Sequence, residues 1–322
     1  MIYLNEEDIR EIGIDWNENV DVIENSVRCL AAGDFAQPIK PYLRYGNGKN
    51  RIIAMPAYVG GKINMSGIKW IASFPGNINE GIPRAHSVVV LNNAQTGIPV
   101  GIVNGSCMSA IRTASVSGLM VRHFLRESPA GRLTIGIVGF GPIGQHHLNM
   151  CAALLKDMDA EFLLYDIRGV DIGSVDAALR KRIRLTNGWE EAYRESDIFI
   201  TCTVSEERYI DKRPKQGSLH LNVSLRDYKA EVFEWFKDTI IVDDWEEICR
   251  ENTDIEIFHI QKGLEKKVVR SIQDVVLSGR LRTCGKDVPM MFNPMGMAVF
   301  DIAMAQHYLK NAHKKNIGLT LK

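Results

Sequence analysis

The sequence lacks an excess of charge of either sign and a long apolar run. Lysine plus arginine number 39, as do aspartate plus glutamate, among 322 residues. This balance gives no reason to expect nucleic acid or an anionic membrane surface as a partner. No apolar stretch approaches the roughly 20 residues of a membrane span, so no membrane partner is expected. A small molecule is the partner that the composition favours.

The sequence also lacks the cysteine and histidine spacings of disulfide or metal sites. The six cysteines form no C-x-x-C pair and have no secretory leader ahead of them, which favours reduced thiols in a cytoplasmic protein. There is no H-x-x-x-H motif and no cluster of carboxylates, so no metal site is predicted. The G-x-S-x-G elbow and the P-loop lysine are absent too.

What the sequence does contain is a glycine-rich loop, IVGFGPIGQHHL, at residues 137–148. An apolar, β-branched strand precedes it and a helical pattern follows it, as a dinucleotide-binding loop requires. Gly139 would permit the tight turn, Gly141 the close approach of a pyrophosphate, and Gly144 the packing of helix on strand. The alternative is a structural glycine turn of another α/β protein. The loop residues predicted to bind a cofactor are Gly139, Gly141, Pro142, Ile143 and Gly144.

The second half of this fingerprint is an acid after the next strand. The run EFLLYD ends in Asp166, 22 residues after Gly144. A carboxylate there would accept hydrogen bonds from the adenosine ribose hydroxyls and repel a 2′-phosphate. The predicted cofactor is therefore NAD rather than NADP.

Strand-like runs continue downstream at 182–186, 198–204, 218–224 and 239–243. The expected fold class is α/β, with a doubly wound parallel sheet. Ligands of such sheets lie outside the carboxyl ends of the strands. The segments expected there are Thr203–Val204, Ser224–Asp227 and Asp243–Asp244, and Thr203, Val204 and Ser224 are predicted to contact the cofactor.

The flanking parts of the chain are organised differently. Four strand-like stretches separated by glycine and proline turns (RIIAMPAYV, GIKWIASF, HSVVVLN and GIPVGIVNG) suggest an antiparallel sheet. One helix is predicted to begin near Ser109, which could cap it, and another to run from about Met297 to His313. Because the last helix could return to the first domain, the dinucleotide domain is predicted to be an insertion. It spans 116–299, between 1–115 and 300–322, which form the substrate domain.

Two basic residues of the substrate domain are candidates for the substrate site. Lys69 alternates with apolar neighbours in GIKWIAS, so a strand would turn it away from Ile68 and Trp70. It could hold a carboxylate or transfer a proton, or it could be an exposed strand lysine. Arg112 falls in the first turn of a helix that begins at Ser109, where it could hold a carboxylate, or it could be a surface arginine.

Three further candidates lie beside turns or strand ends. Arg44 and Arg84 are each more typical of surface charges, but with Arg112 they would provide up to three anion sites in one cleft. Asp227 follows the fifth strand of the parallel sheet, where it could act as a general base or hold an amine or water. Loop aspartates are more often solvated or act as helix caps.

Taken together, the motifs GIKW around Lys69, SAIRTASVS around Arg112, GFGPIG and the spacing from Asn222 to Asp227 resemble the ornithine cyclodeaminase/mu-crystallin family over nearly the whole chain. The resemblance implies a Rossmann domain inserted into an α+β substrate-binding and dimerisation domain, and hence a homodimer. It also implies substrate binding by Arg44, Lys69 and Arg112, with Asp227 as the catalytic acid.

The loop around Asp227 departs from the cyclodeaminases of the family. They carry a G-G-D-C-P-G-K-T-E-like run where this chain has SLRDYKAEV, which keeps the acid but changes its surroundings. The stretches KPYLR, RIIAMP, GIKWIAS, ITCTV, IVDDW, FNPMGMA and NIGLTL more closely resemble the branch that forms 2,3-diaminopropionate for siderophores and related peptides.

That branch oxidises N-(1-amino-1-carboxy-2-ethyl)-L-glutamate with NAD and hydrolyses the imine to 2-oxoglutarate and L-2,3-diaminopropionate. The substrate has three carboxylates, so Arg112 and Arg44 are expected to hold its glutamyl part and Arg84 the additional carboxylate. Lys69 and Asp227 are the expected catalytic residues. The alternatives are an ornithine cyclodeaminase, an imine reductase or alanine-dehydrogenase-like enzyme, and a mu-crystallin-like protein that binds a small ligand without catalysis.

Overall fold

The computed structural model describes residues 1–127 and 131–322. This part of the chain divides into two compact units. Unit 1 consists of Met1–Thr113 and Gly296–Lys322, and unit 2 consists of Ala114–Met295. Unit 1 is thus formed from two separate stretches of chain, whereas unit 2 is one continuous stretch between them.

The strands of the described residues, in chain order, are β1 (Ile2–Leu4), β2 (Phe35–Ala36), β3 (Tyr42–Leu43), β4 (Arg51–Val59), β5 (Met65–Ser73), β6 (Ala85–Asn93), β7 (Pro99–Asn104), β8 (Leu133–Val138), β9 (Ala160–Tyr165), β10 (Ile183–Leu185), β11 (Ile198–Thr201), β12 (Leu219–Asn222), β13 (Ile240–Val242), β14 (Arg270–Ser271), β15 (Met290–Asn293) and β16 (Leu319–Thr320).

The α-helices are α1 (Glu6–Ile12), α2 (Trp16–Ala31), α3 (Ser106–Glu127), α4 (Pro142–Leu154), α5 (Ala177–Arg180), α6 (Trp189–Glu195), α7 (Phe233–Phe236), α8 (Trp245–Ile248), α9 (Asp254–Lys262), α10 (Ile272–Ser278) and α11 (Ala298–Lys315). Within residues 1–127 and 131–322, none of these helices has both the length and the apolar character needed to cross a bilayer.

The sheet of unit 1 has the order β16-β1-β7-β6-β5-β4-β2, and β3 also pairs with β4. Its four long strands, β4 to β7, are antiparallel neighbours, which confirms the antiparallel sheet predicted from the turn pattern. The parallel pairing of β1 with β7 was not predicted. The strand β5 lies between β4 and β6, away from the sheet edges.

The covered face of this sheet packs against α11, which contacts β4, β5 and α2. The predicted helix from Met297 to His313 is confirmed, with bounds one and two residues later. Gly67 on β5 shows how closely α11 approaches. A Cβ atom added there would lie 3.0 Å from Cδ1 of Ile302 and 2.2 Å from the carbonyl oxygen of Val90. The odd-numbered residues of β5 therefore face α11.

The start of α3 differs from the prediction. The helix begins at Ser106, not at Ser109, so Arg112 lies in its second turn. Ser109 lies inside the helix, and its hydroxyl accepts a hydrogen bond from Nζ of Lys69 at 2.8 Å. Arg112 is therefore not beside the free amides of a helix N-terminus, and that reason for an anion site at Arg112 was wrong.

The sheet of unit 2 has the order β10-β9-β8-β11-β12-β15-β13-β14. All its pairings are parallel, which confirms the doubly wound α/β fold. Every residue of β11 and β12 is buried, as expected for strands covered on both faces. The sequence did not predict β15, which lies between β12 and β13 although it follows both along the chain.

Candidate active site

The glycine loop of unit 2 has the geometry of a phosphate-binding turn. Gly139 has φ +89°, and a Cβ there would lie 2.6 Å from the backbone carbon of Cys202. A Cβ at Gly144 would lie 2.1 Å from the carbonyl oxygen of Gly139, whereas one at Gly141 would meet nothing within 4 Å. Two glycines are thus required for packing inside the protein, and the third leaves the backbone open to a ligand.

The helix α4 begins inside the glycine loop, earlier than the sequence pattern, which becomes helical after Gly144. Gly141 is the N-cap residue of α4 and Pro142 is its first residue. Pro142, Ile143 and Gly144 form its first turn, where backbone N–H groups lack partners within the helix. These amides and the helix dipole favour an anionic group such as a pyrophosphate.

Asp166 directly follows β9 and contacts the glycine loop. Its Oδ2 accepts a hydrogen bond from the backbone N–H of Phe140 at 2.7 Å, and its Oδ1 accepts one from the backbone N–H of Arg168 at 2.9 Å. A carboxylate oxygen can accept more than one hydrogen bond, so both oxygens retain capacity for ribose hydroxyls. The side chain is half-buried, which leaves it reachable.

Asp227 lies in the loop after β12 and is fully buried. Its two carboxylate oxygens accept hydrogen bonds from the hydroxyls of Thr203 and Ser224. The structure therefore brings together three of the predicted site residues from the ends of two neighbouring strands. Thr203 and Ser224 were predicted to bind the cofactor, which stays a prediction, and the structure shows their hydroxyls donating to Asp227. Val204, beside them, is 56% exposed.

A second buried acid, Asp254, anchors the loop that carries Asp227. Its Oδ2 accepts hydrogen bonds from the backbone N–H groups of Asp227 at 3.0 Å and Tyr228 at 3.1 Å. The same oxygen accepts one from Nδ2 of Asn222 at 3.0 Å. Its Oδ1 pairs with Nε of Arg208 at 2.6 Å. Asp254 thus fixes the backbone on both sides of the carboxyl group of Asp227.

Burial raises the pKa values of Asp227 and Asp254. The pKa of Asp227 is raised by desolvation, and the hydroxyls of Ser224 and Thr203 oppose this only in part. Desolvation also raises the pKa of Asp254 to about 7, against the opposing effects of the Tyr228 amide and Arg208. A raised pKa moves a carboxyl group toward the range in which general acid–base catalysis operates.

In unit 1, Lys69 and Arg112 meet on one carboxylate oxygen. Nζ of Lys69 donates to Oδ1 of Asp301 at 2.9 Å, and Nε of Arg112 donates to the same oxygen at 2.8 Å. Lys69 faces α11, as the strand alternation predicted, and Trp70 faces the other way with 41% exposure. Neither basic residue is a surface charge, because their side chains are only 2% and 9% exposed.

The turn before α11 is fitted to the guanidinium of Arg112. Gly296 has φ +87°, and a Cβ there would lie 2.9 Å from one terminal nitrogen of Arg112. The carbonyl oxygen of Gly296 accepts a hydrogen bond from Nζ of the buried Lys40 at 2.8 Å. Glycine is thus needed here both for backbone conformation and for space.

The neighbours of Lys69 have opposing effects on its charge. Desolvation lowers its pKa to about 8, Asp301 opposes that shift, and the charges of Arg112 and Lys40 add to it. The pKa of Asp301 is lowered, because Arg112 and Lys69 outweigh the effect of its burial. Lys69 therefore loses its proton at a pH where ordinary lysines keep theirs.

The other two predicted arginines, Arg44 and Arg84, lie next to strands of the unit 1 sheet. Arg44 follows β3 and is exposed, with its guanidinium carbon 5.3 Å from the ring centre of Tyr42. Arg84 directly precedes β6 and is half-buried, and its carbonyl oxygen accepts a hydrogen bond from the N–H of Phe74 at 2.9 Å. Their roles in substrate binding remain predictions.

Sequence reasoning missed the acids that organise both groups of residues. Asp301 is an acid within the otherwise apolar run AVFDIAMA, and an acid in such a run indicates a buried, paired carboxylate. Asp254 begins α9 directly after its capping residue Thr253, so in the sequence it looks like an ordinary helix-start acid. In the predicted segment Asp243–Asp244, Asp244 caps α8, because its side chain accepts a hydrogen bond from the backbone N–H of Glu247.

Residues 1–127 and 131–322 contain no group of three or more His, Cys, Asp or Glu side chains that could hold a metal ion. All six cysteines carry free thiols. His147 is buried against Ser117, and desolvation lowers its pKa to about 4, so it is neutral at physiological pH.

Comparison with solved structures shows where this fold occurs. Thermococcus litoralis Δ1-pyrroline-2-carboxylate reductase, solved with NADH and L-proline, aligns over all of both chains with a TM-score of 0.86 and 21% identity. An archaeal alanine dehydrogenase dimer with bound NAD covers 100% of this chain and 99% of its own, with a TM-score of 0.85 and 23% identity. These similarities establish the fold.

Comparison of sequences establishes the family. A Staphylococcus aureus relative, N-((2S)-2-amino-2-carboxyethyl)-L-glutamate dehydrogenase, is 32% identical over 333 aligned positions, which cover 100% of this chain and 98% of the relative. The family model described as ornithine cyclodeaminase/mu-crystallin family matches residues 3–316. The chain therefore belongs to the ornithine cyclodeaminase/mu-crystallin family.

Proposed function

We propose that this protein is an NAD-dependent dehydrogenase that acts on N-((2S)-2-amino-2-carboxyethyl)-L-glutamate. In the proposed reaction the Cα–H bond of the glutamyl part breaks with transfer of a hydride, and its nitrogen loses a proton to form a C=N bond. Water adds to that carbon and the C–N bond then breaks. The products are L-2,3-diaminopropionate, 2-oxoglutarate, NADH and a proton.

The observation that carries this proposal is the full-length similarity to the Staphylococcus aureus dehydrogenase of that name. The compound in its name is the one that the motifs KPYLR, GIKWIAS and FNPMGMA indicated. We further propose that the diaminopropionate product serves as a building block for a siderophore or a related peptide. The cytoplasmic location also stays a prediction.

The residues of unit 2 fit NAD. The open backbone at Gly141 and the first turn of α4 suit a pyrophosphate, and Asp166 suits the adenosine ribose. Bound NAD would supply the hydride acceptor for the oxidation. The acid at position 166 would repel a 2′-phosphate, so we expect the protein to prefer NAD to NADP.

The residues of unit 1 fit a carboxylate-bearing substrate. Lys69 and Arg112 together carry two positive charges and share the single negative charge of Asp301. A substrate carboxylate would balance the remaining charge, and burial of the basic groups strengthens its attraction. Arg44 and Arg84 remain the proposed contacts of the other two carboxylates.

Asp227 is the proposed general base. Its Oδ atoms would take a proton from the water that adds to the imine carbon, and the proton would return to the nitrogen that leaves. The hydroxyls of Thr203 and Ser224 fix the carboxyl group in one orientation. Lys69 would hold the substrate carboxylate or share this proton role.

We also propose a homodimer, with the face of the unit 1 sheet opposite α11 as the contact. Pro56, Ile68, Val90 and Ile102 are neighbours across four strands on that face and are partly exposed. Trp70 extends this apolar row. A second copy is the proposed partner because an alanine dehydrogenase with this fold was solved as a dimer. Light scattering should show a dimer that Trp70→Arg converts to a monomer; a monomeric native protein would contradict the proposal.

The deciding experiment measures absorbance at 340 nm with NAD and N-((2S)-2-amino-2-carboxyethyl)-L-glutamate, alongside L-alanine and L-ornithine. The proposal predicts NADH from the first compound only, together with 2-oxoglutarate and 2,3-diaminopropionate. NADH from L-alanine would favour an alanine dehydrogenase, and ammonia from ornithine without net NADH would favour a cyclodeaminase. Binding without turnover of any of them would favour a mu-crystallin-like binding protein.

A further inference from the structure

Asp301 has an arrangement that stability alone does not explain. Its side chain is 2% exposed, and Oδ1 accepts from both Lys69 and Arg112. Its other oxygen, Oδ2, is buried without a hydrogen-bond partner in the described structure. An unsatisfied buried oxygen costs free energy, and a buried ion pair gives little net stability over an apolar replacement. This costly arrangement therefore points to a functional role.

We propose that Asp301 is the positioning residue of the substrate site: one carboxylate oxygen fixes both Lys69 and Arg112, so that their remaining N–H groups are held for a substrate carboxylate. This inference rests on the proposed function and deepens it. Nζ of Lys69 also donates to the hydroxyl oxygen of Ser109 at 2.8 Å. The terminal nitrogens of Arg112 lie next to Gly296. Each cation is thus held at more than one point.

Asp301 also controls the charge of Lys69. The charged groups that act on Lys69 are Asp301 on α11, Arg112 on α3 and Lys40 in the segment between β2 and β3, and Asp301 is the one that favours the protonated lysine. With Asp301 neutralised, two cations and the burial would act unopposed. Lys69 would then lose its proton at lower pH, and its attraction for a carboxylate would be lost with it.

The test measures binding of 2-oxoglutarate to the NADH-loaded protein by calorimetry from pH 6 to pH 9, for the native protein and Asp301→Asn. We expect affinity at pH 7 to fall about 10-fold to 100-fold, and the pH at which affinity declines to move down by about one unit. NADH affinity should change less than twofold. A matched control is Glu247→Gln, which removes another buried acid paired with an arginine, and it should change neither quantity.

Two results would overturn the inference. One is an unchanged pH profile with affinity within threefold of native. The other is an equal loss at every pH together with loss of NADH affinity and of thermal stability, because that pattern describes a purely structural residue.

If Asp301→Asn does not fold, the 2-oxoglutarate affinity of Lys69→Gln is compared with that of the double variant Lys69→Gln/Asp301→Asn. The double variant removes one positive and one negative charge. Since Asp301 acts in part through Lys69, replacing Asp301 when Lys69 is already Gln should reduce the affinity by at most about a fifth of the factor predicted for the native protein. A loss of affinity as large as that predicted for the native protein contradicts the proposal. A native protein that does not bind 2-oxoglutarate contradicts the proposed function instead, and the same variants are then titrated with L-alanine.

Discussion

Asp301 in unit 1 and Asp227 in unit 2 are both buried aspartates, yet their pKa values move in opposite directions. Asp301 is held by two cations, which lower its pKa against the effect of burial. Asp227 is held by two neutral hydroxyls, which cannot offset burial, so its pKa is raised. The pKa of a buried acid thus depends on whether its partners outweigh desolvation: the two cations at Asp301 do, and the partners of Asp227 do not.

This difference assigns the two acids to different tasks. A permanent anion suits the fixing of cations for binding, and a carboxyl group that titrates suits proton transfer. The comparison would fail if replacing either acid gave the phenotype expected of the other.

Replacing Asp227 with Asn should lower kcat about 10²-fold to 10⁴-fold, because an amide cannot take a proton from water. Asparagine keeps one acceptor oxygen for these two hydroxyls, and the hydroxyl that faces its NH2 group can rotate to accept instead, so substrate KM should change little. Steady-state kinetics separates the two constants. Asp211→Asn removes a surface acid paired with Lys229 and serves as the control. Near-native turnover by the Asp227 variant would remove this residue from the mechanism.

Replacing Arg112 with Lys should raise substrate KM about 10-fold to 100-fold. A lysine keeps the charge but loses the planar fork and the Nε contact with Asp301. The effect should lie mainly in KM, in contrast to Asp227→Asn. A loss confined to kcat would place Arg112 in the chemical step and break the distinction between the units.

The pH dependence of kcat/KM should be bell-shaped. Activity should fall at low pH as Asp227, the base, gains a proton, and at high pH as Lys69 loses its proton with a pKa of about 8. Lys69→Arg should remove the high-pH decline, because arginine stays protonated up to a pH above about 12. A decline that persists in this variant would assign the high-pH limb to another group.

The smallest effect is expected for Thr203→Val, which removes one hydroxyl donor from Asp227. Because that hydrogen bond favours the carboxylate, the pKa of Asp227 should rise, and the low-pH limb should move up by about one unit or less. The high-pH limb should stay in place. A shift of both limbs would mean that the hydroxyl stabilises more than Asp227.

The parts that sequence predicted correctly depend on local pattern. The glycine spacing, the alternation around Lys69 and the apolar strands of unit 2 are encoded within a few neighbouring residues, and the structure confirms the strands and the direction of Lys69. The contacts of Asp301 could not be predicted in this way, since its partners Lys69 and Arg112 are 232 and 189 residues away. Pairing over such separations is a property of the folded chain.

The two local errors also have physical causes. The helix α3 already begins at Ser106, and Ser109, the predicted cap, is a helical residue whose hydroxyl accepts a hydrogen bond from Lys69, 40 residues away in the sequence. The strand β15 consists of four residues, MMFN, without alternation, so its pattern does not separate it from a loop. It forms a strand because β12 and β13 offer pairing partners on both of its sides.

The position of β15 has a consequence for how the chain acquires its structure during synthesis. Until residues 290–293 leave the ribosome, β12 and β13 each present an unpaired edge to the surroundings. Such edges recruit strands from other chains, and late pairing over a long separation is slow. The growing polypeptide therefore exposes these two unpaired strand edges while nearly 50 further residues are synthesised after β13. A ribosomal pause or a premature stop within that interval would yield a product prone to aggregation.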